Sequence, residues 1–112
     1  MSIYYVVQWT VRPSDVAACE AQLAVISAHI KAKHPGIKSI RTYRQAWGPL
    51  PRRAYVWYEE YDGLTAMDEE GKNETPECTE VWEPIERMAQ EGTYIAGIWS
   101  DPNRAVWFER EK

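Results

Sequence analysis

Hydrophobic and polar positions alternate at the start of the chain, and the spacing then becomes helical. Between residues 3 and 12, one of the two alternating sets is wholly apolar, which predicts a β-strand. That set consists of Ile3, Tyr5, Val7, Trp9 and Val11. After Pro13, apolar residues recur at spacings of three and four, so we predict an amphipathic helix over residues 14–34. The Pro-Gly pair that follows ends this helix.

The middle of the chain has the pattern of a β-hairpin. A strand over residues 37–47 is followed by a Pro- and Gly-rich turn at residues 48–51 and a second strand over residues 54–61. The Asp-Gly pair at residues 62–63 then opens a short helical segment. Polar residues 71–74 predict a loop after it.

A last helix is predicted over residues 75–92, with an apolar stripe along one side. Pro84 lies inside it and lacks an N–H group, so we expect a kink or a break there. A fourth strand follows over residues 93–99. The tail, residues 101–112, is apolar enough at 105–108 to add a short fifth strand or to pack across a sheet edge.

The predicted order β-α-β-β-α-β specifies the fold class as α+β. Its economical topology is one ferredoxin-like domain over residues 1–112, a four-stranded antiparallel sheet with both helices on one face. Helices on one face leave the other uncovered, yet Tyr4 and Val6 point there and residues 54–61 carry large apolar side chains on both faces. We therefore expect a second copy to pack sheet against sheet in a homodimer. The alternative is a monomer whose aromatic residues are shielded by the tail.

Composition and charge add to this picture. The chain has 112 residues, 45% of them hydrophobic, with 13 Lys+Arg against 17 Asp+Glu. Acidic residues are absent between Glu20 and Glu59, whereas twelve occur over residues 59–91. Such blocks could complement each other between two copies or steer an anionic ligand, although solvated surface is the simpler interpretation. No apolar run is long enough for a membrane span and no signal peptide is evident, so we expect a cytoplasmic protein without a membrane partner.

Cysteine and histidine are scarce. Cys19 and Cys78 fall on the apolar sides of predicted helices, where free cysteines are usually buried hydrophobes. His29 lies beside the stripe of the first helix, and His34 stands at its C-terminus, where the helix dipole favours a cation. No cysteine or carboxylate stands near either histidine at ligand spacing, so we predict no metal site. No phosphate-binding loop or nucleophile elbow is present either.

Three segments resemble the dimeric α/β-barrel superfamily, which includes antibiotic-biosynthesis monooxygenases, haem-degrading monooxygenases and NIPSNAP-like proteins. They are residues 35–41, residues 56–67 and the helix that contains Trp82. The resemblance implies that two sheets join into a barrel with the helices outside. Haem-degrading relatives carry an iron-binding histidine after the third strand, but residues 66–70 contain none, so we expect no haem and no other bound cofactor. Tyr61 is similar to an aromatic residue of these enzymes, and Gln8 to their polar residue on strand one.

The residues that point to a function are aromatic side chains. Residues on two strands and the last helix would form a pocket between sheet and helices for a planar hydrophobic molecule. These candidate substrate-binding residues are Tyr5, Trp9, Trp57, Tyr61 and Trp82. Arg41 would hold an enolate or carboxylate, and Glu59 would act as a base, with Tyr61 a second catalytic candidate. Alternatively, the rings only fill the core.

Three classes of function follow. The first is an enzyme that oxidises a phenolic or polycyclic metabolite, cofactor-independent or flavin-assisted, or isomerises it. The second is a non-catalytic homodimeric module that binds a hydrophobic small molecule or has a stress-related role. The third is an RNA-recognition-like domain, which has the same element order and to which residues 53–58 are faintly similar. The negative net charge and the acidic pair Glu59-Glu60 disfavour a nucleic-acid partner.

Overall fold

A computed structural model describes residues 2–102 and residue 110 of the chain. Among these residues, four strands and three helices follow one another in the order expected, and both the short helical segment after residue 63 and the last helix are present. They are β1 (Ile3–Thr10), α1 (Val16–Lys33), β2 (Ser39–Arg44), β3 (Ala54–Tyr61), α2 (Leu64–Gly71), α3 (Pro76–Met88) and β4 (Ile95–Ser100). A short 3-10 turn, Pro13–Asp15, precedes α1. The predicted fifth strand at residues 105–108 lies outside the described residues.

The four strands form one antiparallel sheet in the order β2-β3-β1-β4. This order is that of the ferredoxin-like split βαβ arrangement, so the predicted fold class is confirmed. In the centre of the sheet, Val7 lies opposite Trp57 and Trp9 lies opposite Tyr55. The same parity carries Tyr5 and Glu59. One face of the two central strands therefore presents all of these side chains together.

The main hydrophobic core lies between this face and the helices. Strand β1 contributes its apolar set, and α1 contributes residues spaced three and four apart, as its pattern predicts. The buried members of this core are Val7, Trp9, Val11, Cys19, Leu23, Ile26, Ile30, Tyr55, Trp57 and Ile85. Helices α1 and α3 pack on each other over the sheet. Among the described residues, no helix is both long enough and apolar enough to cross a membrane.

Helix α3 differs from the prediction at Pro84. The helix is continuous from Pro76 to Met88, so the expected break does not occur, and it ends four residues before Gly92. Apolar residues on both sides of the proline, Val81 and Ile85, pack against the core. This packing outweighs the one backbone hydrogen bond that proline removes.

In the part of the chain that the structure describes, no helix packs on the opposite face of the sheet, and we call this face the free face. Three of its large apolar residues are substantially exposed: Trp99 by 64%, Ile95 by 62% and Tyr43 by 52%. The strand register places them there, because Trp99 lies opposite Tyr4 and Tyr43 lies opposite Val56. This face lacks the clean polar set that a solvated antiparallel sheet normally shows.

Candidate functional site

A cavity of about 510 Å³ lies between the helix-covered face of the sheet and the three helices. Two parts of its lining carry chemistry. We call Tyr5, Glu59 and Tyr61 the sheet wall, since they stand on β1 and β3. We call His29, His34, Glu70 and Cys78 the helix wall, since they come from the three helices and from the residue that follows α1.

In the sheet wall, Glu59 is held by its neighbours on the same strand. Trp57 Nε1 donates to Glu59 Oε2 at 2.8 Å, and the Tyr61 hydroxyl donates to Glu59 Oε1 at 2.8 Å. Residues two apart on a strand point to the same side, so the strand itself brings the three groups together. Burial raises the pKa of Glu59 above its ordinary value, and the two hydrogen bonds act in the opposite direction. The result is a carboxyl group that faces the cavity and is largely withdrawn from water.

Tyrosine hydroxyls supply the other polar groups near the sheet wall. Trp82 Nε1 donates to the Tyr94 hydroxyl at 2.8 Å, and Tyr94 in turn lies beside Tyr5. Burial raises the pKa of Tyr94 to about 12 and also raises the pKa values of Tyr5 and Tyr61. All three hydroxyls therefore stay protonated at neutral pH. Tyr61 donates its proton to Glu59, so the Tyr5–Tyr94 pair is the part of this group that can bind an oxygen substituent of a molecule in the cavity.

In the helix wall, His34 is fixed from both sides. Its Nδ1 lies 2.7 Å from Glu70 Oε1, and its Nε2 lies 3.1 Å from Cys78 Sγ. The other Glu70 oxygen accepts the Gly36 N–H at 3.0 Å. The Glu70 carboxylate occupies the space that a side chain at position 36 would fill, so the glycine of the Pro-Gly pair admits this buried group. His34 and Glu70 are both buried.

His29 approaches the same sulfur from one turn earlier on α1. Its Nε2 lies 3.6 Å from Cys78 Sγ, and its Nδ1 lies 3.6 Å from Glu77 Oε1. One ligating atom from each of His29, His34 and Cys78 lies within 4.8 Å of the others, so these three residues could hold a metal ion. The sequence places no cysteine at ligand spacing from either histidine, but the fold brings Cys78 next to both of them. Cys78 is also only partly buried, unlike Cys19.

The remaining candidates from the sequence are divided among three places. Tyr5, Glu59, Tyr61 and Trp82 line the cavity, as the pocket hypothesis requires. Trp9 and Trp57 do not: both are fully buried. Their rings meet Trp82 edge to face, with centroids 5.9 and 5.5 Å apart, and they fill the core beneath the cavity.

The predicted role of Arg41 in the pocket is wrong, because the strand register places this residue on the other face of the sheet. It lies opposite Tyr58 on the free face, whereas its neighbour Ile40 lies opposite Glu59 and so has the parity of the cavity. The irregular pattern of β2 left its register open, and pairing with β3 decides it. Gln8, opposite Val56, likewise points to the free face and is exposed.

Comparisons with known proteins concern the fold. No protein-family model matches the sequence, and no curated protein sequence does. Among solved structures, SnoaB, a cofactor-independent oxygenase from Streptomyces nogalater, is similar with a TM-score of 0.72 at 15% identity, covering 95% of this chain and 98% of SnoaB. Rv0793 from Mycobacterium tuberculosis is similar with a TM-score of 0.69 at 18% identity, covering 95% of this chain and 100% of Rv0793.

A third structure is that of an antibiotic biosynthesis monooxygenase, with a TM-score of 0.68 at 12% identity. The match covers 89% of this chain and 98% of that protein. These similarities span almost the whole length of each partner. At such low identity they establish the fold and leave the chemistry to be argued from the residues of this chain.

Proposed function

The chain has the fold of the antibiotic biosynthesis monooxygenases, and on that premise we propose that it is a monooxygenase-like enzyme for a hydrophobic, aromatic small molecule. One observation carries the proposal. The Glu59 carboxyl group, held between Trp57 and Tyr61, faces a cavity of about 510 Å³. Cavities of roughly 300–1,000 Å³ are typical of small-molecule sites, so a planar molecule of several rings fits the available volume.

The polar groups of the cavity are suited to a phenolic substrate. Apolar and aromatic side chains, among them Ile26, Ile30 and Trp82, contact the rings, while Tyr5 and Tyr94 offer hydroxyls to an oxygen substituent. Because the tyrosine hydroxyls stay protonated at neutral pH, they can stabilise negative charge on that oxygen once the substrate loses its proton.

In the proposed reaction Glu59 removes the phenolic proton. The raised pKa of Glu59 brings it closer to that of a phenol, which favours transfer of the proton in this direction. The electron-rich phenolate then reduces dioxygen. One oxygen atom is inserted into the ring, the other leaves as water, and the phenol becomes a quinone. The balance is one phenol and one O₂ to one quinone and one water, without a bound cofactor.

The test uses the purified chain with hydroxynaphthalenes and anthrones as probes. We expect oxygen uptake and one labelled oxygen atom per product when the reaction is run under ¹⁸O₂. Glu59→Gln should lower kcat by about 10²–10⁴-fold, the usual contribution of a general base. The matched control is Glu60→Gln, since Glu60 lies on the free face and bonds Ser2 and Ser39.

Two other results would contradict the proposal and support the alternatives. Tight binding of a probe without any incorporation of labelled oxygen would favour a non-catalytic binding module. Salt-sensitive binding of single-stranded RNA would favour an RNA-recognition-like domain. Equal kcat values for Glu59→Gln and Glu60→Gln would exclude Glu59 as the base.

We also propose that the protein is a homodimer in which two free faces pack on each other. The exposed side chains Trp99, Ile95 and Tyr43 support this, because packing of two free faces would remove their apolar surface from water. Light scattering at micromolar concentration should give twice the chain mass. Trp99→Glu should give monomers, whereas Trp47→Glu, in an exposed loop, should leave the dimer intact. A monomeric native chain would overturn this proposal.

A further inference from the structure

We propose that His29, His34 and Cys78 form a zinc-binding site whose open coordination position faces the cavity. Two imidazole nitrogens and one thiolate sulfur are ligands that zinc commonly takes in proteins. The three side chains come from the second half and end of α1 and from the first turn of α3. None of them takes part in the proton transfer proposed for Glu59, so the site goes beyond the proposed function.

The distances fit an ion of this kind. Zinc lies about 2.1 Å from an imidazole nitrogen and about 2.3 Å from a thiolate sulfur, so a tetrahedral site separates nitrogen from sulfur by about 3.6 Å. The observed separations from Cys78 Sγ are 3.1 Å to His34 Nε2 and 3.6 Å to His29 Nε2. An ion can therefore enter among the three atoms with only small changes in side-chain position.

The groups behind the histidines have the arrangement of a metal site. Each histidine turns Nε2 to the sulfur and Nδ1 to a carboxylate, Glu70 at 2.7 Å for His34 and Glu77 at 3.6 Å for His29. Metal-binding histidines almost always present their second nitrogen to such an acceptor, which fixes the tautomer and the ring orientation. A cysteine nucleophile needs only one histidine as its base, so the second histidine favours metal binding over a Cys-His catalytic pair.

The position of the cluster indicates what the ion could do. All three residues line the cavity, so three protein ligands would leave the fourth position open toward it. Zinc sites with three protein ligands and one open position are those that bind water or substrate. The class of ligand expected there is an anionic oxygen, such as a phenolate or carboxylate of the molecule in the cavity.

The test measures binding of zinc alone to the full chain by competition with a chromogenic chelator. We expect one ion per chain. Cobalt bound in place of zinc should show intense visible bands of tetrahedral geometry and a thiolate-to-cobalt charge-transfer band. Cys78→Ala should weaken binding at least 10²-fold and abolish that band. The matched control is Cys19→Ala, which removes the other thiol, buried in the core, and should leave the band unchanged.

A second measurement tests whether Glu70 positions His34 for zinc binding. Glu70→Gln keeps the side-chain shape but alters the acceptor behind His34, so zinc affinity should fall by about 10–100-fold while the sulfur charge-transfer band remains. A purely structural role of Glu70 would leave the affinity of the folded variant unchanged. Glu69→Gln, exposed on the same helix, is the control.

A third measurement does not depend on any variant. Zinc should protect Cys78 of the native chain from iodoacetamide, as followed by peptide mass spectrometry. Zinc binding too weak to compete at tens of micromolar, a cobalt spectrum without a sulfur band, or alkylation of Cys78 at the same rate with and without zinc would each overturn the proposal. Metal binding needs no organic substrate, and oxygen incorporation can be assayed after chelator treatment, so the two proposals fail independently.

Discussion

The two walls of the cavity are built in different ways. In the sheet wall, both partners of Glu59 stand two residues away on the same strand. In the helix wall, His34 reaches Glu70 across 36 residues and Cys78 across 44 residues of sequence. The sheet wall is therefore determined by the two-residue period of one strand. The helix wall exists only once three helices have packed onto the sheet, so each wall should respond differently to substitution.

Trp57→Ala should reduce the free energy of unfolding most, because Trp57 belongs both to the hydrophobic core and to the sheet wall. Its side chain is fully buried against Trp82, and its indole N–H holds Glu59. Removing such a ring costs about 3–5 kcal/mol of unfolding free energy, measurable by urea denaturation. Trp47→Ala, at a position 90% exposed, should change stability by less than about 0.5 kcal/mol. A loss below about 1 kcal/mol at position 57 would show that the core closes around the missing ring.

The sheet wall could be predicted from the sequence, because it depends on the alternation of residues within single strands. Alternation over residues 3–12 and the shared parity of Trp57, Glu59 and Tyr61 predict which side chains point together. The same reasoning failed for Arg41, since β2 has no clear alternation and its register depends on pairing with β3. It also predicted a kink or a break at Pro84, and the break is absent because the packing of α3 outweighs the local effect of proline.

The helix wall could not be predicted in this way. His29 and His34 are five residues apart, a spacing that does not put two residues of a regular helix on the same face. They converge because His34 stands beyond the last residue of α1, where the backbone leaves the helical conformation. Cys78 is brought to them by the packing of α3 on α1, which no pattern within either helix specifies. The Pro-Gly pair was a usable signal for the helix end, but not for the Glu70 carboxylate that fits against the glycine.

Glu70→Ala should have the next largest effect and tests the helix wall directly. The substitution removes the hydrogen-bond partner of the buried His34 Nδ1, and also that of the Gly36 N–H, which belongs to an exposed residue. A buried group that loses its partner costs about 1–3 kcal/mol, whereas water can replace Glu70 at Gly36, so we expect a loss of about 1–3 kcal/mol of unfolding free energy. Glu69→Ala, exposed on the same helix, is the control in urea denaturation. Equal stability of the two variants would mean that water replaces Glu70 and that the helix wall is open to solvent.

Glu59→Gln keeps the shape of the side chain in the sheet wall but removes its ionisable carboxyl group. Burial raises the pKa of Glu59 above the ordinary value of 4.5, so its ionised form weakens the folded state. The stability associated with the protonated carboxyl group is complete below 4.5 and is lost as the pH rises through the raised pKa. Glutamine can keep both neighbours, because its oxygen accepts the Trp57 N–H and the Tyr61 hydroxyl can turn to accept its N–H.

We therefore expect Glu59→Gln to be more stable than the parent at neutral pH. The difference should vanish below pH 4.5, where Glu59 is protonated in the folded and unfolded chains alike. Urea denaturation of both proteins between neutral pH and pH values below 4.5 measures this difference. Glu60→Gln, on the free face, is the control. Burial is the smaller effect at Glu60, where hydrogen bonds from Ser2 and Ser39 lower the pKa, so that control should lose stability at neutral pH. A Glu59→Gln variant less stable than the parent at neutral pH would contradict the expected direction.

Tyr94→Phe should have the smallest effect on the free energy of unfolding. Tyr94 bonds Trp82 of α3 and lies beside Tyr5 of the sheet wall. The Tyr94 hydroxyl accepts the Trp82 indole N–H at 2.8 Å, so its removal leaves one partly buried donor without a partner and costs about 1 kcal/mol. Burial also raises the pKa of Tyr94 from 10.0 to about 12. The parent therefore keeps this stabilisation below pH 10 and loses it as the pH rises through about 12, whereas phenylalanine has no such dependence.

The stability difference between parent and Tyr94→Phe should thus narrow in alkaline solution, as measured by urea denaturation between neutral pH and pH 11. Tyr43→Phe, half exposed on the free face, should show no comparable difference at neutral pH. If the Tyr94 difference instead widened with pH, the ionised hydroxyl would be the better partner for Trp82. The polar edge of the cavity would then favour an anion at this point, on the side of the cavity where Tyr5 and Glu59 stand.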